Sequence, residues 1–390
     1  MVYLIPLIFI LLGVTFYDTR INSGSGKILY FLSFLTLVIL SGLRYKVGGD
    51  TLEYFRSFES QIPKLGQLKL ETFTNLRYEP LWIIFNSVCK SIVDDFSFLQ
   101  FVHAIFVNYI LFKFFKKYTS YKFTAILIYF LFYYLYLNFE ILRESIAICL
   151  FLIAYPYLEK RQLLKYYLII ACAVMFHGSA VILFVIPFIK EAYLTKRVLF
   201  KMFIIVICAF LFLQVVTNFI PNQDLRTRVL EYQMFTPSFA GFTFYFLIYF
   251  LGPIYIYIKY VKYREVMFPN LIFIYFTIAV VVSYLTGLSR FINYFMPFLT
   301  IYFVNFLFML STVKRYRQIK IFIIPIVFGI AFAPKYMFYM RDTSENVPGT
   351  HKYNLYLPYT SVFKKEEDET RELLFYRSFD ISREYIDSKK

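Results

Sequence analysis

Charge is scarce in this sequence. Only 17% of its 390 residues are Asp, Glu, Lys or Arg while 59% are hydrophobic, which excludes a soluble globular domain of this length. Cysteine is scarce too: Cys89, Cys149, Cys172 and Cys208 lie singly in apolar runs with no C-x-x-C spacing. They read as small core residues, so neither a disulfide framework nor a zinc site is expected. The three histidines, at 103, 177 and 351, are far apart and no Asp-x-Asp occurs, so no metal site is expected. No internal repeat, low-complexity tract or Pro/Gly linker interrupts the chain. The opening "MVYLIPLIFILLGVTF" lacks a basic n-region and an A-x-A-like cleavage site, and reads as a retained first helix.

What is abundant is apolar and aromatic. Fifty Phe and 37 Tyr against one Trp must fill helix bodies as well as interfacial belts. Apolar segments at 2–17, 27–43, 97–115, 121–138, 141–158, 199–216, 241–258, 270–286, 291–310 and 320–334 are each near the length needed to cross roughly 30 Å of hydrocarbon at 1.5 Å per residue. The fold class expected is all-α, a polytopic membrane bundle of about 10–12 transmembrane helices. Short or re-entrant helices are expected near 80–93 and 163–190, the latter hinged at "HGSA". Residues 1–335 form one membrane domain, and 336–390 a polar tail with no chemistry of its own.

The 41 Lys and Arg against 25 acidic residues matter by position, not as a nucleic-acid surface. Five connections between 113 and 320 carry 18 basic residues, whereas the intervening ones carry four, so the first set is expected inside and the second outside. The 44–79 loop holds six basic and five acidic residues and constrains its side little. It is placed outside because the other candidate groups gather there.

Those groups are few: Arg44, Asp50, Glu53, Glu79, Glu140, Arg143, Glu144, His177 and Arg290. An ionisable group at a membrane span costs roughly a few kcal/mol or more and is a functional candidate by default. In "ILRESIAICL", Glu140 at i−3 is expected to pair with Arg143 while Glu144 points elsewhere; register-fixing by an internal ion pair is the alternative role. His177 in "MFHGSAVI" suits general-base work or, equally, a helix-end hydrogen bond. Arg290 opens a span with Tyr294 one turn on, and two arginines entering helices from outside suggest a clamp for a phosphorylated or carboxylated ligand. Glu79-Pro80 reads either as site carboxylate or as plain helix capping, and "VGGD" is a weak phosphate-nest candidate.

In order, "R-Y-x-V-G-x-D-x-x-x-Y" from Arg44, "E-P-L" from Glu79, "L-R-x-S-I-A-I-x-L-F-L" from Leu142, "F-H-x-S-A" from Phe176 and "S-R-x-x-x-Y" from Ser289 resemble the EpsG-like family of bacterial exopolysaccharide and O-antigen (Wzy-type) polymerases, as does "YLPY" at 356–359. The resemblance implies polymerisation of undecaprenyl-diphosphate-linked oligosaccharide repeat units at the outer face of the cytoplasmic membrane. It maps the family's charged positions onto Arg44, Asp50, Glu79, Arg143, His177 and Arg290, with Glu144 standing where Gln is expected. Arg143, Arg290 and Arg44 would hold the diphosphate, with Tyr294 and Glu144 beside them, and His177, Glu79 or Asp50 would take the acceptor proton. No soluble cofactor, metal or nucleic acid is implied; the expected partners are the lipid-linked glycan, membrane lipid and a chain-length regulator protein. A lipid-linked oligosaccharide flippase, a membrane acyltransferase and a metal-dependent glycosyltransferase are the rival readings. Absent paired repeats, a histidine away from the cytoplasmic side and the missing acidic pair weigh against them in turn.

Overall fold

The computed structural model describes residues 2–19, 26–189, 193–219, 237–331, 355–366 and 371. The expected all-α bundle is what forms; among the described residues there are only isolated bridges, Arg44 with Ser361 and Ser361 with Lys364. The chain divides into two compact units, Met1–Leu152 with Met175–His177 and Gln318–Lys390, and Ile153–Val174 with Gly178–Arg317.

In the first unit, α1 (Leu4–Gly13) runs into a π-turn at Val14–Asp18, and α2 (Lys27–Gly42) packs along it and along α6 (Phe96–Tyr118). Small residues make the approach close: a Cβ at Gly13 would lie 2.0 Å from the Phe123 ring, and one at Gly42 2.8 Å from Phe101. The helix α7 (Lys122–Phe132) returns alongside α1, its third residue capped by Asp18, which accepts from the Thr124 N–H at 2.6 Å and hydroxyl at 2.9 Å. The π-turn at Tyr136–Glu140 comes next, and α8 (Leu142–Glu159) starts afresh after Ile141.

Between α2 and α6, the segment carries α3 (Thr51–Ser60), α4 (Leu70–Asn75) and α5 (Pro80–Ile92). The face of α5 formed by Trp82, Ile83, Asn86 and Cys89 is buried, the spacing of one helix side. Its far end is tied to α3, with Lys90 Nζ donating to the Phe58 carbonyl at 2.5 Å and Ser91 Oγ accepting from Leu65 N–H at 2.8 Å. The element at 80–93 is thus a single short helix of 13 residues, as expected from its length.

The second unit takes in the end of α8 and all of α9 (Leu163–Phe176) up to Val174. A 3-10 helix at Gly178–Phe188 then runs antiparallel to α9, with Tyr166 donating to the Leu183 carbonyl at 2.7 Å and Tyr167 stacked on Phe184. The hinge at "HGSA" is thus where the helix breaks. Next come α10 (Lys196–Phe219), α11 (Phe239–Phe246), α12 (Gly252–Val261) and α13 (Pro269–Tyr284), then α14 (Arg290–Asn293) and α15 (Met296–Thr312). Edge-to-face rings fill this unit, Tyr155 and Phe268 both meeting Phe298, and Tyr260 meeting Tyr302. The last described helix, α16 (Ile319–Ala331), belongs to the first unit and packs on α7.

Among the described residues, Phe96–Tyr118 and Phe239–Val261 are long and apolar enough to cross a membrane, and Thr286–Asn293 with Met296–Thr312, bent by 70°, is either a third, broken span or a re-entrant pair. Seven more apolar helices of 10–17 residues are shorter than a full crossing because turns interrupt them; the segment expected at 121–138, for example, breaks after Phe132. Among the described residues the apolar runs thus appear as two full-length candidates, or three if the bent pair is one span, together with shorter apolar helices.

Candidate functional site

The loop "RYKVGGD" closes on itself around Arg44, which is fully buried. Its guanidinium donates to the carbonyls of Ser41 and, at 3.2 Å, Val47, and to Thr51 Oγ1 at 3.4 Å, while lying 4.4 Å from the centre of the Phe139 ring. Burial lowers its pKa to about 10, so it remains a cation at neutral pH. Gly48 has φ +109°, and a Cβ there would lie 3.0 Å from that of Phe139, which is why a glycine stands at this turn. At Gly49 the constraint is Glu140, whose Oε2 would be 2.8 Å from a Cβ.

Glu140 is that close because its carboxylate accepts from two successive amides, Gly49 N–H at 2.8 Å and Asp50 N–H at 3.0 Å. The "VGGD" nest therefore does cradle an anion, one supplied by the chain. The pairing of Glu140 with Arg143 is corrected here: the π-turn ends at Glu140 and Ile141 leaves helical geometry, so the two residues do not share a helix face.

Residues 355–366 and Arg371 dock on this loop, with Gly48 N–H donating to the Leu355 carbonyl at 3.0 Å, Tyr45 N–H to Thr360 at 2.9 Å and Val362 N–H to Leu43 at 3.0 Å. The Arg371 guanidinium donates to the carbonyls of Lys46 and Pro358, both at 2.7 Å. Tyr356 donates to the Glu140 carboxylate, and its own carbonyl accepts from the Tyr3 hydroxyl at 2.9 Å. Residues 3, 44–53, 77–79, 139–144 and 355–366 thus share one end of the first unit, and Asp18 with Thr124 marks the other.

At the first end, Arg143 meets Glu79, NH1 to Oε2 at 2.5 Å, with side chains 19% and 23% exposed. The Tyr78 ring lies 4.8 Å from the guanidinium carbon, and the Tyr54 hydroxyl bonds to it from α3. Burial pushes the Tyr54 phenol up to about 12 against the pull of the Arg143 cation, so it stays a neutral hydroxyl. Trp82 backs Tyr54, ring centres 5.4 Å apart, in a cluster that includes Phe58, Phe96, Leu142 and Ile146. Glu79 sits at the N-cap of α5 but makes no side-chain cap bond; its carboxylate is turned to Arg143 instead. Arg143 Nε is buried with no hydrogen-bond partner among the described residues.

Glu144 is buried on another face of α8 from Arg143. His177 is buried at the break after α9, and the preceding Phe176 packs on the same aromatic cluster, 6.4 Å from Phe85. Asp50 begins α3 half-buried, its amide held by Glu140. Two expected groups belong to the second unit. Arg290 is exposed, whereas Tyr294 is fully buried and shares a 2.9 Å hydrogen bond with the Ser179 hydroxyl. His103 joins α6 to α8, its Nε2 within 3.0 Å of the Leu142 carbonyl and 2.8 Å of Ser145 Oγ. His351 lies outside the described residues. Among the described residues, no three His, Cys, Asp or Glu side chains cluster as metal ligands.

A family model described as the EpsG family matches residues 27–361. The chain belongs to the EpsG family. No curated protein and no solved structure matches it. EpsG membership carries a general role in polysaccharide polymerisation, of glycosyltransferase type, in a membrane protein. The EpsG match begins at α2 and ends within the docked tail, so it takes in both the Arg44 loop and the Arg143 centre. Sequence reasoning held Tyr54 and Tyr356 within its motifs without giving them a role, and missed Tyr78 and Trp82, which flank "E-P-L" on either side, so the signal was there as aromatic residues beside charged ones.

Proposed function

We propose that the protein joins undecaprenyl-diphosphate-linked oligosaccharide repeat units into a surface polysaccharide at the outer face of the bacterial cytoplasmic membrane, as a multi-pass protein. The observation that carries this reading is the Arg143 centre: a guanidinium braced by Tyr54 and Tyr78, still accessible, with its Nε unpartnered among the described residues. Buried polar groups of that kind mark places where a ligand completes the bonding. At the end of the first unit that carries this centre the short 139–143 connection holds one basic residue, and Lys116, Lys117 and Lys122 lie at the other end, which supports an external site.

In the reaction, an acceptor hydroxyl oxygen attacks the anomeric carbon of the donor glycan. The bond from that carbon to the diphosphate breaks, and its electron pair leaves on the diphosphate. Arg143 stabilises the charge that develops on the leaving group, and Arg290, exposed at the head of α14 in the second unit, is proposed separately as an anion ligand. Tyr294 and Glu144, buried, would support their helices. Arg44, its donors turned to Ser41, Val47 and Thr51, would hold the loop that carries Asp50. The proton passes to a base drawn from His177, Glu79 and Asp50. No cofactor or metal is invoked, and a chain-length regulator is the proposed protein partner. The test is complementation of a strain that depends on this protein: Arg143→Lys, which keeps the charge but loses the bidentate fork, is expected to abolish long polymer. Wild-type chain length in that variant would rule the reading out.

A further inference from the structure

Glu79 lies on Arg143 where a ligand anion would lie. It is not placed there by capping: the N-cap position of α5 would let its carboxylate bond the first turn, yet no such bond forms, and the Trp82 and Ile83 amides bond the Glu79 carbonyl instead. The ion pair joins NH1 to Oε2, and both side chains keep solvent access. The two partners differ in how they are held. Arg143 rises from a regular helix and is braced by two tyrosines, whereas Glu79 precedes α5 in extended backbone (ψ 150°), between the buried Tyr78 and Pro80, and its side chain is not engaged in capping the helix. The exchange is therefore assigned to movement of the Glu79 side chain.

We propose that Glu79 is a resident anion which the donor's diphosphate displaces from Arg143, and that the released carboxylate is the base that accepts the acceptor's proton. The inference rests on the polymerase reading above. A diphosphate carries more charge than a carboxylate and offers paired oxygens to the planar guanidinium fork, so it wins the exchange. The released carboxylate remains beside the leaving group it made room for. The balance is complete: the acceptor O–H proton moves to a Glu79 oxygen, the oxygen bonds the anomeric carbon, and the diphosphate departs on its lipid with the electron pair. Before the donor binds, the carboxylate is engaged with the cation, so an acceptor alone is not activated.

The experiment uses the full-length protein in lipid nanodiscs. Binding is read with undecaprenyl diphosphate as the probe, and turnover with lipid-linked repeat units isolated from the host strain. Glu79→Gln is expected to bind the probe about tenfold more tightly, because a neutral amide competes poorly for a guanidinium, and to lose turnover at saturating donor by about a hundredfold or more. Unchanged or weaker probe binding overturns the displacement, and turnover at the wild-type rate overturns the base. Glu79→Asp, one methylene short of the guanidinium, carries the test if the amide variant does not fold: it is expected to bind more tightly while still turning over, and wild-type affinity there refutes the exchange. Arg143→Lys separates the two readings, since probe binding unchanged in that variant removes the polymerase site itself, whereas lost binding leaves the Glu79 results to decide.

Discussion

Arg44 and Arg143 lie at the same end of the first unit and each has an aromatic ring against its guanidinium, but their partners differ in kind. Around Arg44 three charged groups meet dipoles: Arg44 and Arg371 bond carbonyls and hydroxyls, and Glu140 bonds two amides and a phenol. Around Arg143 a cation meets a carboxylate on another segment. Carbonyls and amides belong to the main chain and cannot leave, so the first arrangement fixes a shape. A side-chain carboxylate can leave, so the second can exchange. The same residue type thus serves as a fastener in one place and as a ligand group in the other, and the kind of partner tells them apart.

The comparison is broken most severely at Arg44. Replacing it with Ala leaves buried carbonyls facing a void and is expected to cost roughly 3–5 kcal/mol, the scale of breaking a buried charged contact. Thermal unfolding in detergent reads this, and Arg143→Ala is expected to lose far less. Equal losses would mean that both arginines are fasteners. Next is Glu140→Gln, in which one of the two amides at 49 and 50 faces an NH2 group, with an expected loss of about 1–3 kcal/mol; Glu79→Gln serves as the comparison and should stay within about 1 kcal/mol of wild type. Tyr356→Phe removes one hydrogen bond from Glu140, and a loss near roughly 1 kcal/mol in the same assay is expected.

The smallest effect is at the rim of the docked tail, where Lys365 lies 3.3 Å from Asp95 with both side chains well exposed. Burial works against the Asp95 charge, but the Ser97 hydroxyl and amide and Lys365 outweigh it and hold the carboxyl below its usual value. A depressed carboxylate stabilises the fold above its unfolded pKa and loses that contribution as pH falls through the folded one. Lys365→Ala is therefore expected to differ from wild type by no more than about 0.5 kcal/mol at neutral pH, and by less in acid. A gap that widens on acidification would contradict this assignment.

The helical class, the short element at 80–93 and the break at His177 were legible in the sequence, because apolar run length, a proline after a polar residue and a glycine hinge are local signals. The partners of the charges were not. Helical spacing suggested Glu140 for Arg143, but a π-turn adds a residue to the turn and rotates the residues beyond it, and nothing in "YLNFEILRE" announces it. The pairing of Arg143 with Glu79 spans 64 residues, and the docking of the tail on residues 43–49 relies largely on main-chain groups that carry no side-chain code.

The docked tail also sets an order on how the protein is made. Its residues leave the ribosome after every described helix, yet they complete the bonding of Glu140, the Gly-Gly-Asp turn and Tyr3. During synthesis the early helices are therefore made with this end unfinished, and residues 355–366 reach back to them later. A chain stopped just after α16 would keep all its described helices and still lack the piece that closes the Arg44 loop.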